Sequence, residues 1–311
     1  MWLARVVYLT YVEATVFGAG MNLTNYYGVS VSRDGRWLEI ASSEGTEPRN
    51  DLWIADLTAS APSCPSFELV QGDVDAQTSL TFGFDGRAYI FTARDAARGM
   101  LLVTTPGSWD PTSWRTLIPE AQDAVLDSVT LLDGEGLDQD QLLVVRTRHG
   151  VAQMAVHAAS DGKFLYPIEL PGAGTIGDPI EHIDGGPITW IVYTDHTTIP
   201  TIYEFDARSR ELTLYATPPG SVHAPSVHSE LITYPSLDGT TVRMFVISPT
   251  GNSDQPRPTI LYGYGGFGIP MQPGYSAAIL AWVESGGVWA VANLRGGGEE
   301  GEEWHRAGML A

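Results

Sequence analysis

Cysteine is nearly absent: Cys64 is the only one in 311 residues. An internal disulfide and a cysteine-based zinc site are therefore both excluded, and a reducing cytoplasm is the expected compartment. Lysine is equally scarce, with Lys163 alone among 17 cationic residues. Those cations face 37 acidic residues, giving a formal net charge of −20. Such a chain repels a phosphate backbone, so no nucleic-acid partner is expected. No apolar run approaches the roughly 18 residues that span a bilayer, so no membrane partner is expected either. The opening Met1-Trp2-Leu3-Ala4-Arg5 and Val6 to Val12 has the outline of a weak signal peptide. Thr10, Tyr11 and Glu13 interrupt it and no small-residue cleavage pattern follows, so a β-strand is the better reading. The seven histidines (His149, His157, His182, His196, His223, His228 and His305) share no spacing and form no metal motif. Neither metal nor cofactor is implied. There is also no Gly-x-Ser-x-Gly; the imitation at Ser285-Gly286-Gly287 has Val283 two places before the serine and follows a helical pattern.

What is present suffices for a large core, since 43% of the residues are hydrophobic. The length allows two domains or one large β domain. Asp-Gly pairs recur at Asp34-Gly35, Asp85-Gly86, Asp133-Gly134 and Asp184-Gly185, spaced by 51, 48 and 51 residues. Asp-Gly suits a tight turn because both residues tolerate positive φ. An apolar, β-branched run follows each pair: Arg36–Ala41, Ala88–Thr92, Leu142–Val145 and Ile188–Tyr193. A second run comes after a polar segment: Leu52–Ile54, Leu101–Thr104, Met154–His157 and Ile202–Phe205. Units of about 50 residues holding several antiparallel strands predict β-propeller blades, with blades across roughly 26–219 and residues 1–25 ending an earlier unit. An ordinary β-sandwich with coincidental spacing is the competing fold.

The pattern changes near Thr217-Pro218-Pro219-Gly220. His228–Tyr234 and Val242–Ile247 read as a hairpin around a fifth pair, Asp238-Gly239. Thr259–Tyr262 is a buried-type strand, followed by Gly263-Tyr264-Gly265-Gly266-Phe267-Gly268. Tyr275–Glu284 is helical in pattern, Gly286-Gly287 stops it, and Val288–Leu294 is another strand. Strand, glycine loop, helix, strand makes a βαβ unit and predicts an α/β domain. Glycines let the backbone pass close to a substrate carbonyl. The aromatic Tyr264 and Phe267 argue against a bare phosphate cradle.

Leu261-Tyr262-Gly263-Tyr264-Gly265-Gly266-Phe267, then Val291-Ala292-Asn293-Leu294-Arg295-Gly296-Gly297-Gly298-Glu299, then Gly301-Glu302-Glu303-Trp304-His305, closely resembles the prolyl oligopeptidase family of serine peptidases. Ser32-Arg33-Asp34-Gly35-Arg36 with Asp51-Leu52-Trp53 resembles a blade of that family's propeller. The resemblance implies a mainly β chain: a partial propeller over 1–221, about four blades of an expected seven, then the N-terminal portion of an α/β-hydrolase domain over 222–311. It further implies that Tyr264 is an oxyanion donor and that Phe267 lines the pocket for the proline side of the cleavage site. Oligopeptidase B, which cuts after basic residues, has Ser-Tyr where this chain has Gly266-Phe267, so the prolyl type is favoured. His305 is read as structural.

In α/β-hydrolases the order Ser, Asp, His follows the first glycine loop. The chain reaches Ala311 before any of the three, and the first blades are also missing. The expectation is a fragment of a serine endopeptidase that cuts short peptides after proline, inactive alone and monomeric in its full-length form. Its partners would be short proline-containing peptides. A non-catalytic peptide-binding or interaction module built on the propeller is the alternative. Val288–Leu294 is further expected to be an exposed, aggregation-prone sheet edge.

Overall fold

Each Asp-Gly pair closes a turn between two neighbouring strands of a sheet, the first of them only two residues long in the case of Asp184-Gly185. The glycine supplies positive φ: 73° at Gly35, 76° at Gly86, 97° at Gly134, 76° at Gly185 and 83° at Gly239. A Cβ there would crowd the following carbonyl. The aspartates do not share this conformation. They act through their carboxylates. Asp34, Asp85 and Asp238 each accept, at 3.0 Å, the backbone N–H two residues on. The glycine N–H reaches back three residues, from Gly35 to Ser32, Gly86 to Gly83 and Gly239 to Ser236.

The computed structural model describes residues 16–59, 64–220, 225–251 and 256–309. The strand expected over Val6–Val12, and most of the earlier unit expected over 1–25, lie outside the described residues. Packing gathers the chain into two compact units, residues 1–74 and 75–311.

The first unit holds one antiparallel sheet, β1 (Asn25–Val31), β2 (Trp37–Glu44), β3 (Asp51–Asp56) and β4 (Phe67–Gln71), paired in that order. Leu52 and Ile54 of β3 are almost fully buried. In the second unit, β5 (Thr78–Phe82), β6 (Ala88–Thr92), β7 (Met100–Thr104) and β8 (Arg115–Ile118) repeat the pattern. So do β9 (Val125–Leu132), β10 (Gln141–Arg148), β11 (Val151–Ala158) and β12 (Phe164–Ile168). A third repeat has two short strands, β13 (Thr175–Ile176) and β14 (Ile180–Glu181), both on β15 (Ile188–Thr194), then β16 (Thr201–Asp206) and β17 (Glu211–Ala216). All these pairings are antiparallel, and no helix falls in Arg36–Ala41 or Ile188–Tyr193.

The two-residue period of a strand explains why the sheets of the second unit stack. Leu142 and Val144 of β10 point one way, into a core with Tyr89, Leu101, Val103 and Ile118. Leu143 and Val145 point the other way, onto Ile191, Tyr193 and Phe205. A strand buried on both faces reads as a continuous apolar run, and Leu142–Val145 is one.

The last sheet differs. It contains β18 (Val227–Pro235), β19 (Thr241–Pro249), β20 (Thr259–Gly263) and β21 (Val288–Asn293), in the order β18-β19-β21-β20. β20 and β21 are parallel, joined through helix α1 (Ala277–Glu284); a second short helix, α2, covers Glu302–Arg306. Ser276 caps α1 by accepting the Ile279 N–H, and Gly286 at φ 98° turns the chain out of it. The predicted elements are present, but one expectation is corrected. β21 is not the edge, because it is paired on both sides. The edges are β18 and β20, and the residues of β20 are all exposed, Leu261 more than Ile260 or Tyr262.

Candidate functional site

The glycine loop leaves the C-terminal end of β20, where parallel strands of α/β sheets present their loops to ligands. Tyr264 is the first residue past the strand. Its side chain is 46% exposed, and its hydroxyl has no hydrogen-bond partner among the described residues. Phe267 is 65% exposed, with its ring centroid 6.4 Å from that of Tyr264 and inclined by 35°. Its φ is 56°, a conformation that a bulky residue rarely adopts. Backbone strain of this kind persists where the surroundings enforce it.

The second glycine motif does the enforcing. A Cβ on Gly296 would lie 2.2 Å from the Gly265 carbonyl oxygen, and one on Gly298 would lie 2.3 Å from that of Gly268. A Cβ on Gly265 would in turn meet the Arg295 oxygen at 2.8 Å. The two segments thus pack backbone against backbone, joined by the Gly268 N–H to the Gly296 oxygen at 2.9 Å. Behind them, the Gly296 N–H donates to the Trp304 oxygen and the Trp304 indole donates to the Leu294 oxygen. Arg295 pairs with Asp238, tying in the β18–β19 turn. The Thr240 N–H, and after it the Arg295 guanidinium, hold the Asp238 carboxyl down at about 2.

Glu299, only 3% exposed, braces the far side of the loop by accepting the Met271 N–H at 2.8 Å, and burial raises its pKa. His305 is also buried. It lies against Gly268 and faces Glu302 at 3.3 Å, a structural placement. Gly274-Tyr275-Ser276-Ala277-Ala278, a near match to the nucleophile pattern that sequence reading passed over, holds the helix-capping serine. Among the described residues one Ser–His hydrogen bond is seen, Ser229 Oγ to His196 Nδ1 at 2.8 Å. That imidazole packs edge-on against Phe245, and burial lowers its pKa. The neighbouring Asp195 is turned to Tyr193, Thr197 and Thr198, so it does not orient the histidine. Among the described residues no group of three or more His, Cys, Asp or Glu could hold a metal ion.

The segment after the loop is anchored to the antiparallel sheets of the second unit. Thr175 donates to the Pro273 oxygen at 2.7 Å, and the Tyr275 N–H donates to Thr194. The Glu302 N–H donates to the Ala97 oxygen, while Arg306 holds Asp75 at 2.8 Å. Gln272 donates to Thr147 Oγ1 at 2.7 Å, and Thr147 in turn donates to Asp127 at 2.7 Å. Burial raises the Asp127 carboxyl to about 6, against the opposing Thr147 hydrogen bond and helped by Asp178.

The sign of its effect follows from that rise. Because the folded protein binds this proton more tightly than the unfolded chain, stability falls as pH rises from about 4 to about 6, then stays reduced. Asp127→Asn keeps an acceptor for Thr147 without the charge. It should be more stable than the parent by about 1–3 kcal/mol at pH 7.5 and nearly equal at pH 4. Urea unfolding at the two pH values measures this, and equal stability at pH 7.5 would contradict the burial cost assigned to Asp127.

Antiparallel sheets of four or five strands that recur about every 50 residues, stacked within the second unit and followed by a mixed sheet with a glycine loop, define a β-propeller protein with an appended βαβ region. Residues 12–218 match the family model described as the N-terminal β-propeller domain of prolyl oligopeptidase. The chain belongs to the prolyl oligopeptidase family. It is 31% identical over 304 residues to a prolyl endopeptidase of Elizabethkingia miricola, covering 95% of this chain and 40% of that one. It is 27% identical over 290 residues to prolyl oligopeptidase A of Amanita bisporigera, covering 91% and 37% respectively. A solved prolyl endopeptidase superposes with a TM-score of 0.82 at 31% identity, over 92% of this chain and 40% of that chain. Galerina marginata prolyl oligopeptidase B, bound to a 25mer macrocyclization substrate, gives 0.82 at 25% identity, over 92% and 39%. The chain thus spans about 40% of the length of these relatives.

Proposed function

We propose that this chain is the propeller and early catalytic region of a cytoplasmic serine endopeptidase that cleaves short peptides after proline. In this reading residues 1–221 contribute about four of seven blades, and 222–311 begin an α/β-hydrolase domain. The Tyr264 hydroxyl donates a hydrogen bond to the oxyanion that forms when a nucleophile attacks the scissile carbonyl. Phe267 offers its ring to the proline side chain. The observation that carries the reading is the loop itself. An unpartnered hydroxyl and an exposed aromatic ring stand side by side on a backbone locked by a second glycine motif, at the C-terminal end of a parallel strand. A donor aimed in advance needs no reorganisation as charge develops. The aromatic ring favours an apolar ring over a basic side chain.

The 311 residues contain no Gly-x-Ser-x-Gly, and in this reading they do not supply the nucleophile. The test uses the chain alone and a chimera in which residues 1–311 replace the matching 40% of the Elizabethkingia miricola prolyl endopeptidase. The chain alone should hydrolyse a proline-containing peptide amide no faster than buffer, because binding groups without a triad leave only residual catalysis. The chimera should cleave after proline and be stopped by a serine-directed inhibitor. Inhibitor-sensitive turnover by the chain alone would overturn the division of labour. A folded chimera that cleaves only after basic residues would overturn the role given to Phe267.

A further inference from the structure

β10, β11 and β12, with the segment 169–173 that follows them, wall an open cavity of about 670 Å³. Its volume is in the range of small-molecule sites. Much of the wall is apolar, including Val144, Met154, Ala155, Phe164 and Ile168. Two polar groups in it are unsatisfied. Arg146 makes no hydrogen bond or ion pair with any described residue, and its Nε is fully buried. His157 is 8% exposed, and its Nε2 is buried with no partner. Buried polar groups are almost always paired, whereas Arg146, half-buried overall, leaves its Nε shut away without a partner while the rest of its guanidinium stays accessible.

The histidine's chemistry can be assigned. Its Nδ1 lies 2.8 Å from the Gly162 carbonyl oxygen, which can only accept, so Nδ1 carries the proton. Nε2 therefore carries a lone pair when the ring is neutral and an N–H when it is charged, on an atom that the surrounding wall covers. Phe164 fixes the ring edge-on, centroids 5.6 Å apart. The charged or titratable residues lining the cavity are Arg146 from β10, His157 from β11 and Glu169 after β12, the last exposed at the rim.

We propose that this cavity binds a small organic monocarboxylate with an apolar body, its carboxylate on the Arg146 guanidinium and beside the His157 ring. A planar guanidinium matches a carboxylate as a two-pronged donor, which a point charge does not. The rim carboxylate of Glu169 disfavours a second negative charge on the ligand. Burial, with a further contribution from Arg146, keeps the free His157 below its ordinary pKa, although the Gly162 carbonyl opposes this. A bound carboxylate favours the charged ring, so binding takes up a proton and tightens as pH falls.

The probe is 3-phenylpropionate, compared with the uncharged 3-phenylpropanol, titrated into the full 311-residue chain and followed by ligand-observed NMR. The acid should bind at least about tenfold more tightly than the alcohol, the step expected of one charge-assisted pair. Arg146→Met keeps the bulk of the stem and should abolish that preference. Arg208→Met, which removes an exposed arginine elsewhere, should leave it intact. His157→Asn keeps a donor for Gly162 but lacks Nε2, so binding should lose its rise between pH 8 and pH 6. If Arg146→Met is misfolded by circular dichroism, Ala155→Phe fills the cavity without changing charge and should block the acid. Equal affinity for acid and alcohol, or full acid binding in the cavity-filled variant, would overturn the proposal. So would a pH response that survives in His157→Asn.

Discussion

In the active chimera, Tyr264→Phe should lower kcat by about 10²–10³ while KM changes by no more than a few fold. The asymmetry follows from where the hydroxyl acts. A planar substrate carbonyl is weakly basic, and its oxygen does not yet occupy the position of the tetrahedral oxyanion. Only the latter draws full benefit from a donor, so the interaction appears in the transition state and not in the bound ground state. Phenylalanine removes one oxygen and keeps the ring beside Phe267, 6.4 Å away, so the apolar surface is preserved. Because the hydroxyl has no partner among the described residues, its removal orphans nothing and the variant should melt with the parent. Steady-state kinetics on one proline-containing amide, with a melting curve beside it, separate the outcomes. An unchanged kcat would remove Tyr264 from the chemistry. A raised KM with unchanged kcat would make it a ground-state binding residue.

Much of the fold was legible because its central strands are deeply buried, β6 and β10 on both faces and β15 on one. β6, β10 and β15 lie between partners, so β-branched and aromatic residues fill them and stand out as runs. The outer strands were harder to see. β17 is largely exposed along Glu211–Ala216, and β12 carries a proline in Phe164–Ile168, so neither needs the composition that marks a core strand. Strand order was invisible for another reason. β21 has an apolar sequence that suits either an interior or an edge position, and only the long-range pairing of β19 with β21 decides between them. In the site, both glycine motifs could be read from the chain, but their mutual contact could not. Nothing local to Gly296 indicates that its neighbour is the Gly265 carbonyl. Glu299 was likewise read only as part of a motif, since an acidic residue in a glycine-rich stretch looks solvated until the structure buries it.

That contact makes Gly296→Ala the most disruptive single substitution expected at the site. Two effects act together and can be separated. Gly296 has φ 97°, which costs an L-residue about 1–2 kcal/mol anywhere. Its added Cβ would also stand 2.2 Å from the Gly265 oxygen and 2.7 Å from its carbonyl carbon, with the Gly266 nitrogen at 3.3 Å. All three are backbone atoms, so no side-chain rotation relieves the clash and the loop itself has to move. Relief displaces Gly265 and Gly266, the residues between Tyr264 and Phe267, and strains the hydrogen bond from Gly268 to Gly296. A shift near 1 Å in a positioned group can cost about 10² in rate. Gly239→Ala supplies the control: its φ is 83°, yet a Cβ there meets nothing within 4 Å. In the chimera, Gly239→Ala should lose about 1–2 kcal/mol of stability and little activity. Gly296→Ala should lose at least about 10² in kcat/KM, with faster amide exchange over Tyr264–Met271 and unchanged exchange in β10 and β11. The antiparallel sheets form their cores without this loop, so their protection is independent of it. Equal activity losses in the two variants would show that backbone strain alone governs the site, and that the interlocking of the two glycine motifs does not position Tyr264.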